Sequence, residues 1–357
     1  LKNDIQKILI IGPSWVGDMV MSQSLYIDLK SQYPDSEIDV LAPAWCKPVL
    51  ERMPEVSQSI EMPIGHGDIS LKERYLLGKS LREKQYTHAY VLPNSAKSAL
   101  IPMFAKIPNR IGWKGEMRYG LLTDLRPNKK QFQYMIERYV ALARPKHLMQ
   151  SSSSLGGLDT LPFPKLSVSK ESQTAISSKL KLSRNKPIVG LCPGAEFGPA
   201  KQWPVEHFAS VANSLIAKGY DIWILGSKND ATTGQEITKL TKEKSSIHDL
   251  TGQTNLIEAI DLISCCSTII SNDSGAMHLA AAVGCKIIGI YGSTSPDYTP
   301  PLTKNLEILH TDIECRPCFK KVCPYGHLKC LKDLEPLRVM DAFMRLTNEQ
   351  DRLSELD

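Results

Sequence analysis

Lys7-Ile8-Leu9-Ile10-Ile11-Gly12-Pro13-Ser14-Trp15-Val16-Gly17-Asp18 opens with a short apolar run and breaks into a loop bounded by glycines. Beyond Gly17 the period changes, with Met21, Leu25 and Leu29 at four-residue spacing on one face of a helix ending near Tyr33-Pro34. The stretch reads as strand, loop, helix, which is half of a parallel crossover unit. The glycines are five apart, so the loop is neither a dinucleotide fingerprint nor a phosphate-binding Walker loop, which would also need Lys-Ser or Lys-Thr.

The same alternation continues downstream. Segments 38–43, 59–63, 89–93 and 110–113 are further strand candidates separated by helical stretches, which predicts a parallel sheet. Residues 143–184 then become rich in Ser, Pro and Gly, including Ser151 to Ser154 and Pro162/Pro164. A second series follows, with strands at 187–194, 220–227, 247–252, 268–273, 286–292 and 306–311 and helices such as 206–218 and 276–283. The expected class is α/β, two facing Rossmann-like domains with parallel sheets and a cleft between them. Their expected extents are 1–165 and 186–335, joined by a linker at 166–185. A charged amphipathic helix closes the chain at 336–357, and its packing partner is not legible in the sequence.

Composition agrees with this plan. The 357 residues suit about two doubly wound domains of ordinary size. A hydrophobic share of 42% and a charged share of 23% are those of a folded globular chain. No run approaches the roughly 20 apolar residues of a spanning helix, and the first apolar run, Ile8 to Ile11, is too short for a signal peptide, so a cytoplasmic address is expected. The net charge of +5 comes in short clusters, which does not call for a nucleic acid partner.

Open parallel sheets bind ligands beyond the carboxyl ends of their strands, so the loops there are where chemistry belongs. In the first loop Asp18 is either an acid favoured by the helix dipole or a general base drawing a proton from an attacking hydroxyl. In the second, Cys192-Pro193-Gly194-Ala195-Glu196-Phe197-Gly198-Pro199-Ala200-Lys201 leads to Trp203 and a helix started by Pro204. Gly194 and Ala195 let backbone amides approach an anion, Lys201 adds a mobile point charge, and Trp203 reads as packing. In the third, Ile270-Ser271-Asn272-Asp273-Ser274-Gly275-Ala276-Met277-His278 runs from strand to capped helix, a cradle for a diphosphate or a plain capped helix with a core histidine. Gly292-Ser293-Thr294-Ser295-Pro296 is a neighbouring phosphate-facing turn or an ordinary one. The first domain adds Asn94, Ser95 and Lys97 after one strand and Arg110, Lys114, Glu116 and Arg118 around the next. As a group they suit an anionic acceptor, with Ser14, Trp15, Asn94, Ser95, Lys97 and Arg118 as the candidate contacts.

Nine cysteines is an odd number, and five of them sit in apolar surroundings as reduced core thiols would. The other four, Cys315-x2-Cys318-x4-Cys323-x6-Cys330, permit a tetrahedral metal site or free thiols and match no standard finger or ferredoxin spacing. Late in the chain, they are expected to lie away from the phosphate loops.

Gly12-Pro13-Ser14-Trp15-Val16-Gly17-Asp18-Met19, Ala42-Pro43-Ala44-Trp45-Cys46, residues 91–95, 112–122 and 193–201, and Asn272-Asp273-Ser274-Gly275 together resemble the bacterial ADP-heptose:lipopolysaccharide heptosyltransferases of glycosyltransferase family 9. The likeness runs from about residue 5 to about residue 302. It implies a GT-B fold and inverting transfer of L-glycero-D-manno-heptose from ADP-heptose to the first heptose of the lipopolysaccharide inner core, carried on heptosyl-Kdo2-lipid A. It further implies Asp18 as general base and a donor set of Gly194, Ala195, Lys201, Asp273, Ser274, Gly275, His278 and Ser293. The leaving diphosphate would be held by Lys201, His278 and the amides of residues 274 and 275. No metal or other cofactor is required on this reading, and the Asp-x-Asp motif of many metal-dependent transferases is missing from the sequence. Peripheral contact with the inner membrane follows from a lipid-linked acceptor. The four-cysteine cluster occurs in some members and not others, so the resemblance gives it no role. The alternatives are transfer to another core position and, in a different class, a non-catalytic sugar-nucleotide-binding protein.

Overall fold

The computed structural model describes residues 7–65 and 67–354. The chain divides into two compact units, one of residues 1–166 with Asp297–Thr299 and one of residues 167–296 and 300–357.

The first unit contains β1 (Lys7–Ile11), α1 (Val16–Gln32), β2 (Glu37–Ala42), α2 (Lys47–Leu50), β3 (Gln58–Glu61), α3 (Leu71–Ser80), β4 (His88–Val91), α4 (Ala96–Phe104), β5 (Asn109–Trp113), β6 (Asp124–Arg126) and α5 (Met135–Ala143). Its six-stranded sheet has the order β3-β2-β1-β4-β5-β6 with every pairing parallel. Ile8, Leu9, Ile10 and Ile11 are all buried, as a strand covered by helices on both faces must be. The strand order reverses between β1 and β4, so the loops after these two strands diverge and leave a crevice there.

The second unit repeats the design. It contains α6 (Lys170–Lys179), β7 (Ile188–Cys192), α7 (Val205–Ala217), β8 (Asp221–Ile224), α8 (Ala231–Leu240), β9 (Ile247–Asp249), α9 (Leu256–Ile263), β10 (Thr268–Asn272), α10 (Gly275–Ala282), β11 (Lys286–Ile290), β12 (Leu306–Leu309), α11 (Lys329–Lys332) and α12 (Pro336–Ser354). The order β12-β11-β10-β7-β8-β9 is again parallel throughout, with its switch point between β7 and β10. On α7 the buried Phe208, Val211, Ala212 and Leu215 recur at helical spacing, and each large one contributes about 2 kcal/mol by leaving water.

One expectation needs correction, and one point open in the sequence is filled. The stretch 166–185 is no free linker, because it carries α6, which is capped by Ser169 and packed on α9. Gln173 bonds the Ser264 hydroxyl at 2.9 Å and Lys179 pairs with Glu258 at 2.5 Å. The closing helix does have a partner, since Val339, Ala342 and Phe343 of α12 are buried in one core with α7, and Tyr220 meets Phe343 edge to face. Residues 355–357 of that expected helix lie outside the described residues.

Candidate active site

In the second unit the switch point brings the expected donor loops together. Asn272, at the end of β10, accepts a hydrogen bond from the Trp203 amide at 3.1 Å and donates to the Pro193 carbonyl at 2.6 Å. One buried amide side chain therefore ties both ends of the 193–203 loop to β10. Trp203 is buried as packing, its indole N–H donating to the Leu334 carbonyl at 2.9 Å. Held this way, Lys201 reaches Asp273, with Nζ 2.5 Å from Oδ2 and 4.9 Å from the centre of the Phe197 ring. Thr294, from the turn after β11, donates its hydroxyl to the same Oδ2 at 2.6 Å. Three loops thus converge on one carboxylate.

The charge on Lys201 is not mobile as expected. Its side chain is 13% exposed and that of Asp273 5%, so the pair is pinned and desolvated. An ammonium has three N–H groups, and with one on the Asp273 carboxylate and a second at 3.4 Å from its backbone carbonyl, one remains for an anion. Gly194, Ser274 and Gly275 are half-buried at the mouths of their loops, Ala195 is buried, and Ser274 and Gly275 begin α10, where helix amides are unpaired. Ser293 is buried and its hydroxyl has no partner.

His278, one turn into α10, departs from expectation more sharply. Burial, opposed by Asp273 and reinforced by Lys201, pulls its pKa down to about 4. At neutral pH it is an uncharged imidazole that can donate one N–H, so the cationic hold falls to Lys201. An unfolded chain protonates this histidine near pH 6.5. The unfolded state therefore takes up the proton first, and the stability conferred is whole above pH 6.5 and lost as pH falls toward 4. Between pH 7 and pH 5 the loss amounts to about 2 kcal/mol. His278→Gln should flatten that part of the acid limb in denaturant unfolding, and an unchanged slope would mean His278 titrates normally.

In the first unit Asp18 is half-buried in the first turn of α1. Its charge reaches Cys46, Tyr139 and Tyr298. Burial, then Asp18, push the Cys46 thiol up to about 11 and hold the Tyr139 phenol far above its ordinary value. Tyr298 comes from the short run that the second stretch of chain lends to this unit, and nothing in the sequence marked it. Its hydroxyl accepts from Arg138 at 2.6 Å, the guanidinium lies 4.6 Å from its ring, and its carbonyl caps the Met135 amide at 3.0 Å.

Beside the first loop is a cavity of about 120 Å³ lined by Ser14, Trp45, Arg74, Ser95, Lys97 and others. Trp45 donates to the Ser14 carbonyl at 2.8 Å, and Trp15 is 59% exposed at the start of α1. Asn94 is exposed, while Ser95 bonds the Ser98 hydroxyl at 2.6 Å at the start of α4. The expected acceptor set is thinned here. Arg118 is 1% exposed and donates to the Trp113 carbonyl at 2.9 Å and to that of Pro93 at 2.6 Å. It is a brace with its donors spent on backbone, and it does not present charge to an acceptor. Arg110 likewise bonds the Leu121 and Ile107 carbonyls. Glu116 accepts from the Ala96 amide at 2.9 Å and so fills the N-terminus of α4. Lys97 is the cation of the group that lines the cavity.

The four-cysteine segment is not remote from the phosphate loops. Cys315, Cys318, Cys323 and Cys330 line one small cavity with Ala200 and Ser293. The thiols are free, and among the described residues no group of three or more His, Cys, Asp or Glu side chains is arranged as a metal-ligand set.

A model of glycosyltransferase family 9 (heptosyltransferase) matches residues 74–329. The lipopolysaccharide heptosyltransferase 2 of Salmonella typhimurium is 48% identical over 347 residues, which is 96% of this chain and 99% of the relative. The lipooligosaccharide heptosyltransferase 2 of Haemophilus influenzae is 53% identical over 306 residues, 85% and 88% of the two chains. The solved structure of Escherichia coli ADP-heptose lps heptosyltransferase II superposes with a TM-score of 0.86 at 44% identity, covering 97% of this chain and 100% of that one.

Proposed function

Because this chain belongs to glycosyltransferase family 9 and is a glycosyltransferase of GT-B-like fold, we propose that it moves L-glycero-D-manno-heptose from ADP-heptose to the first heptose of the lipopolysaccharide inner core, with inversion. The observation that carries the reading is the junction of Lys201, Asp273 and Thr294 at the switch point of the second sheet, in a chain alike over nearly its whole length to transferases of that name. As the bond from the anomeric carbon to the diphosphate oxygen stretches, positive charge develops on the sugar and negative charge on the departing ADP. Lys201 and the first amides of α10 oppose the second of these. Asp273 orients Lys201 and Thr294 and, being an anion itself, leaves the phosphates to them. Asp18 takes the proton of the attacking acceptor hydroxyl on the opposite face. No metal or cofactor enters these steps.

The acceptor on this reading is heptosyl-Kdo2-lipid A, with Ser14, Trp15, Ser95 and Lys97 as its contacts. Among the described residues no helix is long and apolar enough to cross a membrane. Contact with the cytoplasmic face of the inner membrane is then peripheral. Ile69 and, on α3, Leu71, Tyr75 and Leu76 are exposed beside the Lys97 cavity, with Lys72 and Lys79 also on α3, a surface of the kind that meets lipid headgroups.

The test is transfer from ADP-heptose to heptosyl-Kdo2-lipid A in excess chelator. Product from wild type, with a raised acceptor KM and an unchanged donor KM in Lys97→Glu, is expected. Failure of well-folded wild type to transfer to this acceptor, with transfer to another core acceptor, would overturn the acceptor assignment.

A further inference from the structure

The turn after β11 has three consecutive carbonyls committed to one segment. Gly292 O accepts from Arg316 Nε at 2.9 Å, Ser293 O from the Phe319 amide at 2.8 Å, and Thr294 O from Arg316 Nη2 at 3.1 Å. In a trans peptide the C=O and the following N–H point in opposite directions. With the Ser293 carbonyl drawn to the Phe319 amide, the Thr294 amide of the same peptide points away from that segment. The Thr294 hydroxyl of this turn reaches Asp273 and, through it, Lys201.

The same segment also holds the Lys201 loop. Lys321 O accepts from the Ala200 amide at 3.1 Å, and the Ser293 amide donates to Ala200 O at 3.1 Å, so loop, turn and segment are laced together. The fit is close enough to demand glycine twice. A Cβ on Gly198, whose φ is +145°, would fall 2.6 Å from Lys321 O, and one on Gly292 would fall 2.6 Å from Ala200 O. Behind the lacing, the four thiols line their cavity with Arg316 between two of them in sequence.

We propose that residues 316–321 form a clamp that sets the two donor-phosphate loops, with Arg316 as the positioning residue that makes them fit a nucleoside diphosphate. The proposal rests on the donor reading given above, and Arg316 itself touches no substrate. Lysine cannot span two carbonyls as a guanidinium does. Arg316→Ala should therefore weaken ADP binding by about tenfold, and Arg316→Lys by less. Both should raise the ADP-heptose KM and leave the acceptor KM and the pH profile of kcat as in wild type. Guanidinium ion added to Arg316→Ala should restore part of the ADP affinity. A merely structural role would lower the folded fraction and all parameters together, without rescue. Isothermal titration with ADP is the readout, beside thermal melting, and the Lys variant carries the test if the Ala variant does not fold. ADP affinity within twofold of wild type in folded Arg316 variants, while Lys201→Ala loses it, would overturn the clamp and spare the donor reading. Unchanged affinity in Lys201→Ala as well would remove both.

Discussion

Asp18→Asn should lower kcat by about 10²–10⁴-fold at saturating acceptor while ADP-heptose binding stays within twofold of wild type. The two readings of this residue differ enough in magnitude to be separated by one substitution. As an acid in the first turn of α1 it interacts with the helix dipole, and its neutralisation would cost about 0.3–1 kcal/mol of stability with no necessary effect on rate. As the base it cannot be replaced by a carboxamide of the same shape, which accepts hydrogen bonds but does not take a proton at neutral pH. Its neighbours favour that second role. Cys46 and Tyr139 both hold their protons in the neutral range, so neither can stand in for the lost carboxylate. The donor loops belong to the other unit, which is why ADP-heptose binding should persist. The checks are steady-state rates with the lipid acceptor and titration with donor. A variant with wild-type kcat would return Asp18 to the role of a dipole-stabilising acid.

What the sequence carried best was what repeats. Buried parallel strands are runs such as Ile8-Leu9-Ile10-Ile11, which have few other readings, and the loops after them were placed because strand ends are where such loops must be. The convergence of Lys201 and Asp273 follows from β7 and β10 being neighbours in the sheet. The misses have separate physical causes. β6 is Asp124-Leu125-Arg126, too short and too charged to show periodicity, and at the edge of the sheet its two charges pair with each other at 2.9 Å. α6 hid in a serine-rich stretch because serine serves both linkers and helix caps, and only the Ser169 cap with its contact to Ser172 separates the two. Arg118 looked like surface charge since sequence does not show that the Pro93 and Trp113 carbonyls close over it. The cysteine segment was set apart by its distance along the chain, about twenty residues beyond the turn it holds. Tyr298 could not have been found at all, because nothing local says that Asp297–Thr299 belongs to the first unit.

The second large effect concerns the buried ion pair. Lys201→Met should cost about 10²–10³-fold in kcat, the loss typical of a donor aimed at developing negative charge, and should also destabilise the fold by about 3–5 kcal/mol. The stability loss arises because Asp273, 5% exposed in its side chain, would stay buried without the cation that pairs with it, the Thr294 hydroxyl still donating to it. These two consequences have different remedies. Lys201→Met combined with Asp273→Asn removes the stranded charge, and Asn can still accept the Thr294 hydrogen bond, so unfolding free energy should recover most of what the single variant lost. Activity should not recover, since no cation then faces the diphosphate. Asp273→Asn alone should keep the lysine but hold it less firmly, through the backbone carbonyl of residue 273, and is expected to lose less activity than either variant lacking the lysine. The four proteins form a cycle read by denaturant unfolding and by kcat. If the double variant regained rate along with stability, the lysine would be serving the fold and not the leaving group.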